Sequence, residues 1–148
     1  MQAVFETIFD VVYLTTVTVL GIRMIQGHKG QIQYLLFGII AVVLGAGDAF
    51  HLVPRAVALW TTGLDSYAVP LGIGKLFTSN TMTVFYVLLY YVWRVRYEVK
   101  DQRTLTVLVW LLAVVRVVLN FMPQNDWLSA NPPIIWGIYR NIPFALLG

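Results

Sequence analysis

Long stretches without a charged residue alternate with short polar links along this chain, and they limit the folds that it can adopt. Residues 35–44, for example, read LLFGIIAVVL. A helix that is apolar on all sides is buried either in a large protein core or in lipid, and 148 residues are too few to build so large a core. Only 11% of the residues are charged, whereas soluble domains carry roughly a quarter. The chain is therefore predicted to be an integral membrane protein.

The predicted fold is an all-α polytopic transmembrane helix bundle, because the apolar stretches match spans of about 20 residues. Counting gives four complete helices and a truncated fifth, at about residues 4–25, 34–53, 72–93, 104–122 and 134–148. The second helix is expected to end at Pro54, and residues 55–71 to form a long connection. The final sequence, IIWGIYRNIPFALLG, stops within a helix, where backbone carbonyls in lipid would lack partners. Residues 1–148 are thus expected to form one transmembrane domain within a longer chain.

The basic residues predict how the helices are oriented. Six of them fall in the links on one side, namely Arg23, Lys29, Arg94, Arg96, Lys100 and Arg103. The links on the other side hold only Arg55, Lys75 and Arg140. Because basic residues favour the cytoplasmic side, the N-terminus is predicted to lie outside. Basic residues at membrane edges also argue against nucleic-acid binding, and the absence of cysteine excludes disulfides and thiol chemistry.

Polar residues concentrate at the outer ends of all five predicted helices. They are Glu6 and Asp10 in the first, Asp48, His51 and Arg55 in the second, Lys75, Ser79 and Asn80 in the third, Arg116 and Asn120 in the fourth, and Arg140 in the fifth. Asp48, His51 and Arg55 follow one another at i, i+3 and i+7, which places them on one helix face. An ionised group at the bilayer centre costs about 2.5–3.5 kcal/mol. These groups are therefore expected to pair with one another or to line a wet pocket.

The sequence leaves three interpretations of this cluster open. Three acids nearly cancel four bases, so the cluster can be a salt-bridge network that holds the bundle together. Asp48 and His51 have the carboxylate–imidazole spacing that helical bundles use for metals, and a zinc ion there would need a third ligand from Glu6, Asp10 or a further segment. The basic residues can instead converge on a phosphate or carboxylate such as a lipid headgroup. The candidate ligand-binding residues are Glu6, Asp10, Arg55, Lys75, Asn80, Arg116, Asn120 and Arg140.

Three segments resemble a family of bacterial multi-pass membrane proteins without an assigned function: LLFGIIAVVLGAGDAFHLVPRA, TSNTMTVFYVLLYYVWRVRYE and WGIYRNIPFALLG. The likeness covers essentially the whole chain and implies about seven helices and a location in the bacterial cytoplasmic membrane. A more distant likeness is to the intramembrane hydrolases related to alkaline ceramidases and progestin/adipoQ receptors, since GDAFHL is similar to their histidine-bearing helix. That likeness implies zinc-dependent cleavage of lipid amides, with Asp48, His51 and Ser79 as the matching residue types.

Two classes of function follow. The first is a lipid-directed intramembrane hydrolase in which a metal held by Asp48 and His51 activates water. The second is a non-enzymatic transporter, sensor or structural membrane protein whose cluster binds an anionic or amphiphilic molecule, or only pairs with itself. Membrane lipids are expected partners in both classes. Histidines or carboxylates in the outer halves of further helices would favour the hydrolase.

Overall fold

The computed structural model describes residues 2–61 and 63–148, and in these ranges it is all-helical. Its five α-helices are α1 (Gln2–Gln26), α2 (Ile32–Trp60), α3 (Ala68–Arg96), α4 (Arg103–Asn120) and α5 (Ile134–Leu147). Helices that follow one another in the chain pack side by side: α2 lies between α1 and α3, and α4 lies between α3 and α5. The predicted all-α bundle and its order of five helices are confirmed.

Among the described residues, three helices are long and apolar enough to cross a membrane. They are α1, α2 and α4. Helix α3 is as long as α2, but Lys75 and the polar residues between Thr78 and Thr83 lower its hydropathy. Helix α5 is apolar and shorter, with 14 residues. Three of the four complete spans predicted from the sequence thus meet this description. The remaining one, which corresponds to α3, stays a prediction.

Apolar side chains cover the outside of the bundle. Phe5, Ile134 and Leu146 are among the large hydrophobic residues that are mostly exposed. The buried apolar core is small by comparison and consists of Ile40, Ala58, Leu71, Val87, Val92 and Ala113. A water-soluble protein rarely exposes wide apolar surfaces, so this is the surface expected of helices that face lipid.

The prediction that the second helix ends at Pro54 is wrong, because α2 continues through Pro54 to Trp60. Proline cannot donate a hydrogen bond, and its ring displaces the carbonyl four residues earlier, which is that of Phe50. Helix α3 crosses α2 at this position: a Cβ on Gly74 would collide with the Phe50 carbonyl oxygen and with His51 Cα. Helix α2 is thus packed closely against α3 at the turn that precedes Pro54. Helix α2 ends where Gly63, at φ +91°, donates its N–H to the Ala58 carbonyl.

The connection between α2 and α3 is shorter than the sequence suggested, and the one between α4 and α5 is slightly longer. The connection predicted at residues 55–71 is helical up to Trp60, and after a 3-10 turn at Asp65–Tyr67 helix α3 begins at Ala68. Helix α4 ends at Asn120 rather than at 122, and a second 3-10 turn follows at Pro123–Asn125. These turns fold the loops over the ends of the helices that carry the polar residues.

Candidate functional site: a basic cavity at one end of the bundle

Three carboxylates lie between α1 and α2. Arg55 donates from Nε to Glu6 Oε2 at 2.9 Å and from Nη2 to Glu6 Oε1 at 3.3 Å. Tyr13 donates its hydroxyl to Asp48 Oδ2 at 2.7 Å. Asp10 is buried, at 9% exposure, and lies within electrostatic range of Glu6, Arg55 and His51. The interface between α1 and α2 therefore contains three acidic side chains, and Glu6 forms a salt bridge with Arg55.

Asp48, His51 and Arg55, which the sequence places in one stripe of α2, meet different partners. Asp48 and Arg55 are seven residues apart, so their directions around the helix axis differ by only about 20°. Asp48 and His51 are three residues apart, and their directions differ by about 60°. Asp48 and Arg55 consequently face α1 together, where each has its partner. His51, about 60° away from Asp48, lines a cavity with residues of α3, α4 and α5.

That cavity has a volume of about 340 Å³, which is within the range of small-ligand pockets. It is lined by His51, Lys75, Thr78, Ser79, Met82, Arg116, Trp127, Arg140, Asn141 and Phe144, and we call it the basic cavity. No aspartate or glutamate is among its lining residues. A smaller cavity shares His51, Lys75 and Trp127 with it and is also lined by Arg55, Asp65 and the loop residues Leu64 and Ser129. The basic cavity thus has three cationic side chains and reaches toward the loops at this end of the bundle.

Arg116 is the most deeply buried charged residue of the basic cavity, with 3% exposure. Its Nη2 is 3.4 Å from Ser79 Oγ, and its guanidinium carbon is 3.7 Å from the centre of the Phe144 ring. Its Nε and Nη1 are buried and have no hydrogen-bond partner among the described residues. Three N–H bonds of this guanidinium therefore lack acceptors, because Nε carries one hydrogen and Nη1 two.

Arg140 is held in place by the loop that precedes α5. Its Nη1 donates to Asn125 Oδ1 at 3.0 Å, and its guanidinium carbon is 4.0 Å from the centre of the Trp127 ring. Asn125 is fully buried, and its amide donates to the carbonyls of Leu119, Asn120 and Met122 at the end of α4. Trp127 donates its indole N–H to the Asn120 carbonyl at 2.7 Å. The loop therefore caps α4 and orients Arg140.

Two of the predicted polar residues of α3 are joined to α4 by hydrogen bonds. Ser79 donates to Asn120 Oδ1 at 3.0 Å, and Asn120 donates to Asn80 Oδ1 at 3.3 Å. Asn120 is fully buried. Because each amide and hydroxyl here has a partner, this network explains how α3 and α4 associate without a ligand.

The predicted residues thus separate into three groups. Glu6, Asp10, Asp48 and Arg55 lie between α1 and α2; His51, Lys75, Arg116 and Arg140 line the basic cavity; and Asn80 and Asn120 join α3 to α4 through Ser79, which also lines the cavity. In the described part of the chain, Glu6–Arg55 is the one salt bridge. The salt-bridge network that the charge count allowed is therefore limited to one pair there.

The structure supplies no third ligand for a metal on Asp48 and His51. Within residues 2–61 and 63–148, no three histidine, aspartate or glutamate side chains are grouped around one position. A catalytic zinc has three protein ligands, whereas Asp48 accepts a hydrogen bond from Tyr13 of α1 and His51 lines the basic cavity with residues of α3, α4 and α5. The zinc site and the hydrolase stay predictions from the sequence and its resemblance.

Several residues of the site were not anticipated from the sequence. Asn125 and Trp127 are in a segment that its Pro, Asn and Ser content marks only as a loop. The signal that could have identified Asn125 is its place five residues after the end of α4, where a side-chain amide can satisfy free carbonyls. Tyr13 and Phe144 are in apolar stretches, and nothing in their spacing distinguishes them from residues that face lipid.

Comparison with known proteins adds no family to this description. No family model, no curated protein and no solved structure matches the chain.

Proposed function

We propose that this is an integral membrane protein of the bacterial cytoplasmic membrane, with its N-terminus outside, that binds an anionic ligand in the basic cavity. The ligand's negative charge would contact Arg116, Arg140 and Lys75 between the outer ends of α3, α4 and α5. This is a binding function of the non-enzymatic class, and it requires no metal.

The observation that carries the proposal is the state of Arg116. The side chain is 3% exposed, and its Nε and Nη1 have no partner in the described residues. A charge buried without a counterion costs several kcal/mol, and ionisable residues within membranes usually mark functional sites. An anion in the cavity would supply the missing countercharge.

The charges around Arg116 support the same conclusion. Arg140 and Lys75 also line the cavity, and neither forms a salt bridge with a carboxylate of the described residues. Like charges placed together repel one another, so a purely structural role would favour a carboxylate among them. The carboxylates of Glu6, Asp10 and Asp48 lie instead between α1 and α2, where Arg55 binds Glu6, and Asp65 lines the smaller adjoining cavity.

The test is the thermal stability of the purified protein in detergent with added anions. We would titrate phosphate, citrate and phosphatidylglycerol at constant ionic strength, with chloride as the reference. A ligand at ten times its Kd stabilises the folded state by about 1.4 kcal/mol. We expect such a stabilisation for at least one of these anions in the wild-type protein.

The variants Arg116→Met and Arg140→Gln should lose this response. Arg103→Gln is the matched control, because Arg103 is exposed and lies at the opposite end of α4 from the cavity. Arg140 is only partly buried, so its variant keeps the test decisive if Arg116→Met does not fold. Binding that persists in both cavity variants, or no stabilisation by any anion in the wild type, would overturn the proposal.

A further inference from the structure

The charge of the basic cavity restricts the class of anion that it can bind. Lys75, Arg116 and Arg140 bring three positive charges, and the lining residues include no carboxylate. An anion of charge −1 would leave two of these charges uncompensated in a partly desolvated site. A dianion would leave only one positive charge uncompensated. Water can solvate that charge if it is on Lys75, whose side chain is exposed.

The directions of the three cationic groups favour a tetrahedral anion over a planar one. Lys75 is on α3, Arg116 on α4 and Arg140 on α5, so the groups converge on the cavity from three different helices. A carboxylate presents two oxygens in one plane. A terminal phosphate presents three acceptor oxygens in three directions, and arginine binds phosphate oxygens through its fixed fork of N–H donors.

The aromatic rings leave the edges of both guanidinium groups for such contacts. Phe144 covers one face of Arg116 at 3.7 Å, and Trp127 covers one face of Arg140 at 4.0 Å. The N–H bonds of a guanidinium lie in its plane, so stacking uses none of them. Each ring holds its arginine in one orientation and thereby lowers the entropy that is lost when a ligand binds.

We infer that the basic cavity binds the terminal phosphate of a phosphate monoester, in its dianionic form. The inference rests on the proposed anion site and adds the chemical class of its ligand. The monoester can be a lipid headgroup that enters between α3 and α5, which touch only lightly. It can also be a water-soluble phosphate that enters past the loop residues Leu64 and Ser129.

The experiment compares ligands that differ in headgroup charge. The full chain would be incorporated in neutral phosphatidylcholine nanodiscs, and phosphatidic acid, phosphatidylglycerol and oleate would be added at equal mole fractions. Native mass spectrometry and thermal stability would report binding. The phosphodiester and the carboxylate each carry one charge, whereas the monoester carries up to two. We expect phosphatidic acid to bind at least about tenfold more tightly than the other two, because a further unit charge a few ångströms from a cation has an effect of this order.

Soluble competitors distinguish the two sources of the phosphate. If glycerol 3-phosphate displaces phosphatidic acid at comparable concentrations, the cavity takes a free monoester, and displacement by inorganic phosphate as well would show that the phosphate dianion alone is sufficient. If neither displaces it, the acyl chains contribute to binding and the ligand is a lipid. Both results support the monoester class.

Lys75→Gln tests the charge count directly. Lys75 is exposed, so its replacement is expected to leave the fold intact and to reduce the preference for phosphatidic acid over phosphatidylglycerol. Lys100→Gln, an exposed lysine in the link on the opposite side, is the control. Equal, Arg116-dependent binding of all three lipids would leave the anion site standing and refute the monoester inference. No Arg116-dependent binding of any lipid or soluble anion would refute both.

Discussion

At the scale of single residues, the surroundings of two arginines give the same side chain two different roles. Arg55 is partly exposed and makes two hydrogen bonds with Glu6, and partly exposed pairs of this kind contribute little to stability. Arg116 is buried, and its guanidinium contacts the Ser79 hydroxyl and the Phe144 ring, whereas its Nε and Nη1 have no hydrogen-bond partner among the described residues. A ligand that compensates the charge of Arg116 would therefore gain binding free energy from this side chain.

Asn125 leads to a prediction at this scale. Its amide satisfies three carbonyls at the end of α4, and its oxygen accepts from Arg140. We expect Asn125→Ala to reduce the free energy of unfolding by about 1–3 kcal/mol, because buried groups would lose their partners. Thermal unfolding in detergent measures this loss.

Asn131→Ala is the control for this variant. Asn131 is in the same loop and exposed, so its replacement should change stability by less than about 0.5 kcal/mol. Equal effects of the two substitutions would contradict the capping role of Asn125. Asn125→Ala should also weaken anion binding, since Arg140 would lose the acceptor that orients it.

At the scale of elements, the contact between α2 and α3 sets the shape of the basic cavity. Gly74 brings α3 against the backbone of Phe50 and His51, one turn before Pro54. Thr78, one turn further along α3, donates to the Gly47 carbonyl at 3.0 Å. This close approach places His51 of α2 beside Lys75 of α3 in one cavity wall.

Gly74→Ala tests this contact. The new Cβ would meet the Phe50 carbonyl oxygen and His51 Cα, which are backbone atoms and cannot rotate away. Overpacking of this kind costs about 1–3 kcal/mol, and it should appear as a lower midpoint in unfolding by sodium dodecyl sulfate.

Gly137→Ala should have the opposite effect. In α5 the Cβ would find only Arg140 Nη2, at 3.9 Å, and alanine stabilises a helix by about 0.8–1.0 kcal/mol relative to glycine. If Gly74→Ala were as stable as the wild type, the helices would not be in close contact there.

The helices could be predicted from the sequence because apolar length alone determines them, and their bounds agree within a few residues for α1 and α4. The end of α2 could not be predicted in the same way. A proline in a helix interior usually kinks or breaks the helix, whereas here α2 continues through Pro54 and α3 packs against the turn before it. That contact joins residues distant in the sequence, and a local sequence pattern does not predict it.

At the scale of the whole molecule, three carboxylates lie apart from the cations of the basic cavity. Glu6, Asp10 and Asp48 lie between α1 and α2, whereas Lys75, Arg116 and Arg140, which form no salt bridge within the described residues, line the basic cavity. The sequence indicates that these groups share one end of the bundle, because each helix has them near the same depth. It does not indicate which acid meets which base, since pairing depends on how each helix is rotated about its axis.

The orientation of the bundle is the remaining prediction, and it decides from which side a soluble ligand reaches the cavity. Six basic residues near the opposite end favour the cytoplasm for that end, so the loop at residues 121–133 should be outside. The chain has no cysteine, and single cysteines can replace Gln124 and Gln102, which are both exposed. Asn125 is unsuitable because it is buried.

We expect an impermeant maleimide added to intact cells to label Gln124→Cys, and to label Gln102→Cys only after the membrane is permeabilised. The reverse pattern would place the basic cavity at the cytoplasmic face and would invert the proposed orientation. The anion site itself would survive that result, because its argument depends on Arg116 and the surrounding cations. Its ligand would then come from the cytoplasm or the inner leaflet, and the competition between soluble and lipid phosphates would have to be measured with the ligands on that side.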